Sequence, residues 1–162
     1  MQNLFDAIDR WFVRILSAVV FLTFAALVVL VTMQIYVRFF TASSLTWSEE
    51  LSTYIMIWMV LIASVLVFRN KGHIWVENVV DILPKTAKPL VLAISNLFVL
   101  LFYVIIIWGS LTLLPTVHSQ LSPACKIPMS YLYFAMPFSM VLTTFYIVRH
   151  IYDEVTEFIK AE

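Results

Sequence analysis

The chain has 162 residues and no net charge at pH 7, since its ten basic residues are matched by ten acidic ones. Hydrophobic residues make up 62% of the chain and charged residues 12%, whereas an ordinary soluble domain has roughly 45–50% and about 25%. This composition excludes a water-soluble fold, which would leave much of the apolar surface in water. We therefore expect an all-α integral membrane protein with a single membrane domain over residues 1–162.

The rarity of cysteine and glycine limits the chemistry. One cysteine, Cys125, and two glycines, Gly72 and Gly109, are present. A disulfide within the chain, a Cys/His zinc cluster and a Gly-rich phosphate loop are therefore excluded, and the basic residues form no patch for nucleic acid. We expect no enzymatic activity, no cofactor, no metal site and no nucleic-acid partner.

Four stretches contain no Asp, Glu, Lys or Arg: residues 15–37, 51–68, 89–125 and 127–148. Roughly 20 apolar helical residues cross a bilayer core about 30 Å thick. Pro115, Pro123 and Pro128 divide the third stretch, because an interior proline disrupts a helix, whereas Pro137 is expected to kink the last helix without breaking it. The predicted membrane-spanning helices cover about 15–37, 47–68, 89–114 and 128–148.

Amphipathic segments flank these spans. Residues 2–14 and 74–83 have apolar side chains at helical spacing, so we predict interfacial helices there, anchored by Trp11 and Trp75. Residues 151–159 form either a third such helix or the frayed end of the last span. A cleaved signal peptide is the rival interpretation of the N-terminus. A retained span is favoured, because the apolar run exceeds the roughly 7–15 residues of a signal and no small-x-small site follows.

Lysine and arginine are divided unequally between the two sides of the predicted spans. Eight lie on the side of the two termini, and only Arg38 and Lys126 lie on the other. Because basic residues concentrate in cytoplasmic loops, both termini are predicted to be cytoplasmic.

Away from their ends, the predicted spans contain no Asp, Glu, Lys, Arg or His. Ion-coupled carriers need such groups at depth, and a haem anchor needs axial histidines inside its bundle. We therefore favour a protein that holds another membrane protein at a given depth and angle. A small self-associating carrier or channel is the main alternative, and a haem-binding anchor is the third.

Residues 38–58 carry the densest polar pattern. Thr46 and Glu49 stand at capping-box spacing, which predicts that the second helix starts at Thr46. Glu50 has no capping role and is the better candidate for an intersubunit contact. Arg38 ends the first span, where a short hairpin would bring it near Glu49 and Glu50 for a bidentate ion pair. The alternative is that Arg38 extends to a lipid phosphate.

A resemblance to a known family rests on this segment. Arg38 is followed by Leu-Thr-Trp-Ser-Glu-Glu-Leu at 45–51, and then by Tyr54, Trp58, Arg69, Gly72 and His73. Later in the chain, Ile127-Pro128 precedes Tyr131 and Pro137. The pattern resembles the small membrane subunit of tripartite ATP-independent periplasmic (TRAP) transporters, which has four spans and cytoplasmic termini.

The resemblance implies a sodium-driven importer in a bacterial inner membrane. A periplasmic substrate-binding protein would deliver a carboxylate solute, either sialic acid or a C4-dicarboxylate, to a large multi-span subunit that this chain supports within the lipid bilayer. The periplasmic loops 39–45 and 115–128 would contact the binding protein transiently. Hairpin or partner-interface roles are implied for Arg38, Trp47, Ser48, Glu49, Glu50, Tyr54 and Trp58.

Overall fold

The computed structural model describes residues 2–41, 45–69 and 88–161. This part of the chain forms four α-helices: α1 (Gln2–Thr41), α2 (Thr46–Arg69), α3 (Lys88–His118) and α4 (Ser130–Ala161). Each helix is long and apolar enough to cross a membrane, by length and composition. The predicted all-α membrane fold with four spanning helices is therefore confirmed.

Three helices extend further than the sequence predicted. Helix α1 continues unbroken from Gln2 to Thr41, so residues 2–14 are helical but joined to the first span. No glycine or proline occurs in this stretch to interrupt it. Helix α4 passes Pro137 and includes residues 151–159. The predicted helix at 74–83 lies outside the described residues, as does Trp75.

The end of α3 corrects one prediction. The sequence predicted a helix ending at 114, ahead of Pro115, but α3 passes this proline and ends at His118. A proline removes a single N–H and its fixed φ suits a helix. Because Pro115 lies three residues before the end of α3, the hydrogen bond that it removes affects only the last turn of the helix.

The four helices are arranged as two hairpins. Helix α1 packs against α2, α3 packs against α4, and the hairpins meet where α2 packs against α4. We call the end of the molecule where α2 and α4 begin the hairpin end, and the opposite end the terminal end. This arrangement places the start of α2 beside the loop between α3 and α4.

The apolar core lies where α1, α2 and α4 meet. Leu16, Ile62, Val65 and Tyr146 form its buried centre, and the side chain of Val65 is fully inaccessible. Much of the remaining apolar surface faces outward; Trp108 on α3, for example, is 74% exposed. Such a surface is suited to lipid or to another membrane protein.

Candidate functional site

The Glu50 carboxylate binds the loop between α3 and α4 at the hairpin end. Its Oε2 accepts hydrogen bonds from the backbone amides of Ala124 at 2.8 Å and Cys125 at 3.0 Å, while the Tyr54 hydroxyl donates to Oε1 at 2.5 Å. Bonds from two amides to one ionised oxygen are stronger than neutral hydrogen bonds. Glu50 therefore ties the first turns of α2 to a loop more than 70 residues away along the chain.

The bound loop, residues 119–129, has a regular internal structure. Ser122 N donates to Ile127 O at 2.9 Å, Met129 N donates to Gln120 O at 2.9 Å, and Leu121 pairs with Pro128 in an antiparallel bridge. The fully buried Ser122 hydroxyl also accepts from Ile127 N at 3.1 Å. The loop is therefore a folded turn whose backbone groups are largely paired.

Lys126 adopts a left-handed conformation at the turn of this loop, with φ of 56°. For a residue with a side chain, this region costs about 1–2 kcal/mol. Such a conformation persists only where the surroundings determine it. The backbone amides of Ala124 and Cys125, which precede Lys126 in the chain, donate hydrogen bonds to Glu50. These hydrogen bonds supply that constraint.

Two further contacts close the space between α2 and the loop. The Cys125 thiol donates to the Trp47 carbonyl at 3.4 Å, and the Tyr54 hydroxyl lies 3.5 Å from the Met129 sulfur. Trp47 thus contacts the loop through its backbone, while its indole is 43% exposed. Of the residues singled out from the sequence, Trp47, Glu50 and Tyr54 are brought together here.

Within the described part of the chain, the predicted ion pair of Arg38 is not formed. Arg38 lies exposed near the end of α1, and in residues 2–41, 45–69 and 88–161 no ion pair or hydrogen bond joins it to Glu49 or Glu50. The loop amides occupy the Glu50 carboxylate instead. The expectation that Glu50 contacts another subunit stays a prediction, beside the contacts that its carboxylate makes within the chain.

The predicted capping box is also absent from the described hydrogen bonds. Helix α2 begins at Thr46, as predicted, but the amides of Ser48 and Glu49 donate to the Leu45 carbonyl at 3.0 and 3.2 Å. Leu45 therefore occupies the N-cap position, which shifts Thr46 and Glu49 one place out of capping-box register. The Glu49 side chain is left exposed.

A second polar contact joins the two helices of the first hairpin. The Gln34 side-chain amide on α1 donates to the hydroxyls of Ser48 at 3.1 Å and Ser52 at 3.0 Å, and both serines are buried. In an apolar layer such bonds align neighbouring helices. Sequence reasoning missed Gln34, although it is a rare amide in an otherwise apolar span and lies one turn before Arg38.

Trp58 belongs to the core. Its ring packs on the buried cluster of Leu16, Ile62, Val65 and Tyr146, and its ring centroid lies 5.9 Å from that of Phe138 on α4. A side chain in this position stabilises the contact between the two hairpins. Trp11, predicted as an interfacial anchor, is 68% exposed on α1.

A third polar contact lies at the terminal end and was not predicted. The Arg69 guanidinium donates to Asp9 Oδ2 from Nη2 at 2.6 Å and from Nε at 3.0 Å, and the Tyr146 hydroxyl donates to Asp9 Oδ1 at 3.0 Å. The Asp9 and Arg69 side chains are 15% and 29% exposed. Asp9 thereby joins α1, α2 and α4. In the sequence, the one indication of an ion pair was that Asp9 lies in a region rich in basic residues.

Two grooves beside α2 offer little to a polar solute. One open groove between α1 and α2 and another between α2 and α4 share Val60, and both are lined almost wholly by apolar atoms. Within the described residues, no three His, Cys, Asp or Glu side chains lie close enough to hold a metal ion. These grooves suit a lipid chain or an apolar helix better than an anion.

Comparison with known proteins identifies the family. Residues 27–157 match the family described as tripartite ATP-independent periplasmic transporters, DctQ component. A TRAP transporter small permease protein of Haemophilus influenzae is 31% identical over 135 residues, which cover 82% of this chain and 81% of that protein. A second small permease protein of that organism is 23% identical over 138 residues, 85% of this chain and 86% of its own length.

A longer relative contains a matching region. The isethionate TRAP transporter permease protein DctMQ of Oleidesulfovibrio alaskensis is 28% identical over 103 residues, which make up 62% of this chain but 16% of that protein. With the match over residues 27–157 and the four membrane-spanning helices, these similarities agree on one assignment. The chain therefore belongs to the DctQ family, the small permease component of the tripartite ATP-independent periplasmic transporters.

Proposed function

We propose that this small permease is a scaffold that holds the large, multi-span TRAP subunit in place while the large subunit carries the solute. The observation that carries the proposal is the uncharged interior. Away from their ends the spans contain no Asp, Glu, Lys, Arg or His, and the two grooves that α2 forms with α1 and α4 are lined almost wholly by apolar atoms. An anion and its coupling ions need polar groups at depth, so we assign their sites to the partner.

The polar contacts of the described helices support a scaffold role. Glu50 joins α2 to the loop before α4, Gln34 joins α1 to α2, and Asp9 joins α1 to α2 and α4. Contacts at both ends of a bundle resist the sliding of one helix past another. A moving transport domain needs such a fixed neighbour to work against.

The proposed location is the bacterial inner membrane, with several passes and both termini in the cytoplasm. Eight of the ten basic residues then lie on the cytoplasmic side, which fits the preference of lysine and arginine for that side. The hairpin end, with Glu50 and the loop 119–129, faces the periplasm in this orientation. Trp11 and Trp75 would anchor the molecule at the lipid surface.

Two proteins and the lipids are the proposed partners. The large subunit would cover part of the exposed apolar surface, and Arg38, Trp47 and Glu49 are the members of the predicted interface set that remain exposed. A periplasmic substrate-binding protein would contact the loops at the hairpin end during delivery. Ser48, Glu50, Tyr54 and Trp58 would support these contacts from within the chain.

The proposed cargo is an organic anion, driven inward by a sodium gradient. A carboxylate such as sialic acid or a C4-dicarboxylate remains the prediction from the family. The similarity to the isethionate TRAP transporter permease protein of Oleidesulfovibrio alaskensis extends the candidates to a small sulfonate. The selecting residues are assigned to the partners, since the spans contain no Lys, Arg or His away from their ends to hold either anion.

Purification from the native membrane tests the partnership. A mild-detergent preparation of the tagged subunit is expected to contain a large multi-span protein in equal amount, because a scaffold stays bound to the subunit that it holds. Preparation from a strain lacking the gene for that large protein serves as the control. Recovery of a homo-oligomer alone, from the strain with both proteins, would contradict the proposal and favour a self-associating carrier.

A further inference from the structure

We infer that Glu50 is a positioning residue, which fixes the loop 119–129 in one shape for contact with the substrate-binding protein. The inference deepens the proposed function and rests on it, since the periplasmic placement of the loop comes from the proposed orientation. The role of Glu50 in shaping the loop is independent of that orientation and follows from the contacts alone.

The geometry makes the carboxylate a structural centre for the loop. Two consecutive amides, those of Ala124 and Cys125, converge on one oxygen of Glu50, and the Tyr54 hydroxyl holds the other oxygen. Tyr54 lies four residues after Glu50, one turn along the same helix. Helix α2 therefore fixes the orientation of the Glu50 carboxylate. The loop is then positioned by its hydrogen bonds to that carboxylate.

The exposed side of the loop carries groups that suit a protein contact. Leu121 is 57% exposed, and Pro123 and Lys126 are exposed beside it. An exposed leucine next to a cation on a folded turn fits an apolar patch edged by carboxylates on the binding protein. A turn that is already ordered loses less conformational entropy on binding than a mobile one.

Cys125 provides a direct test of the loop's position, because it is the single cysteine of the chain. Cys125 is half-buried, and its thiol donates to the Trp47 carbonyl at 3.4 Å. Glu50→Ala removes the acceptor of two amides, so we expect a maleimide to modify Cys125 in membranes about tenfold faster than in the native protein. Glu49→Ala, the neighbouring exposed carboxylate, is the matched control and should be labelled at the native rate.

A milder variant guards against loss of the protein. Glu50→Gln keeps the shape and one acceptor oxygen but loses the charge, so its labelling rate should lie between those of the native protein and Glu50→Ala. If Glu50→Ala does not accumulate in the membrane, the labelling rate of Glu50→Gln is compared with that of the native protein instead. The inference is overturned if Cys125 is labelled at the native rate in whichever Glu50 variant accumulates in the membrane. It is also overturned if Glu49→Ala raises the labelling rate as much as the Glu50 variant does.

Uptake by the complete transporter tests the link to the binding protein. A Glu50 variant with a loosened loop should need several-fold more binding protein for half-maximal uptake, with the maximal rate kept, because docking is weakened and translocation is not. An unchanged half-saturating concentration would overturn the docking role of the loop. Failure of the scaffold proposal is distinguishable, because it would appear as the absence of the large subunit from the native preparation.

Discussion

Replacing Arg69 with alanine is expected to lower the free energy of unfolding of the isolated subunit by about 2–3 kcal/mol. The reason is that the change removes two hydrogen bonds to Asp9 and leaves a carboxylate that is only 15% exposed without the Arg69 guanidinium, while the Tyr146 hydroxyl still donates to it. The ion pair is partly accessible, so the loss should fall short of that for a fully buried pair. Unfolding in mixed micelles of detergent and SDS measures it.

Arg10→Ala is the matched control for this change. Arg10 is exposed on the same helix as Asp9, and its loss removes the same charge from the same side of the membrane. Asp9→Ala should cost about as much as Arg69→Ala, and the double variant should cost little more than either, since both remove one interaction. Additive losses in the double variant, or an equal loss in Arg10→Ala, would contradict the role of the pair.

Trp58→Ala is expected to destabilise the isolated subunit by roughly 2 kcal/mol. The ring fills the space between the core cluster and Phe138, and its removal leaves a cavity between the two hairpins. In a soluble protein the loss would be larger. In lipid the exposed apolar surface is not penalised as it is in water, so the lost packing contacts account for most of the effect. Unfolding in the same mixed micelles measures it.

Trp47→Ala separates packing from partner contact. Trp47 lies on the same helix with its indole 43% exposed, so its removal should change the stability of the isolated subunit by less than about 0.5 kcal/mol. Its backbone contact with Cys125 is retained in the variant. Equal losses for Trp47→Ala and Trp58→Ala would contradict the placement of Trp58 inside the bundle and Trp47 outside it.

The helices were predictable because lipid leaves the backbone few choices. A charge-free stretch long enough to cross the bilayer must satisfy its own hydrogen bonds, and a helix does so. The start of α2 at Thr46 was also predicted, although the capping box on which that prediction depended is absent from the described hydrogen bonds. The prolines were harder to interpret, since Pro115 was expected to end a helix that continues to His118. Its position near the helix end, which decides the cost, could not be known beforehand.

The polar contacts could be predicted only in part, because they depend on which helices become neighbours. The short hairpin suggested that Arg38 would meet Glu49 or Glu50, yet Glu50 binds the backbone amides of Ala124 and Cys125. Asp9 and Arg69 are separated by 60 residues and no local pattern connects them. Once α2 is known to pack against both α1 and α4, each of these contacts has a geometric reason.

Reconstitution of transport tests the central claim most directly. Three sets of proteoliposomes would contain this subunit alone, the co-purified large subunit alone, or both, and each would be given binding protein, a sodium gradient and labelled sialic acid, C4-dicarboxylate or isethionate. We predict no uptake by this subunit alone and the fastest uptake with both subunits, because the proposed function assigns the sites for the anion and the coupling ion to the large subunit. Sodium-driven uptake by this subunit alone would contradict the account.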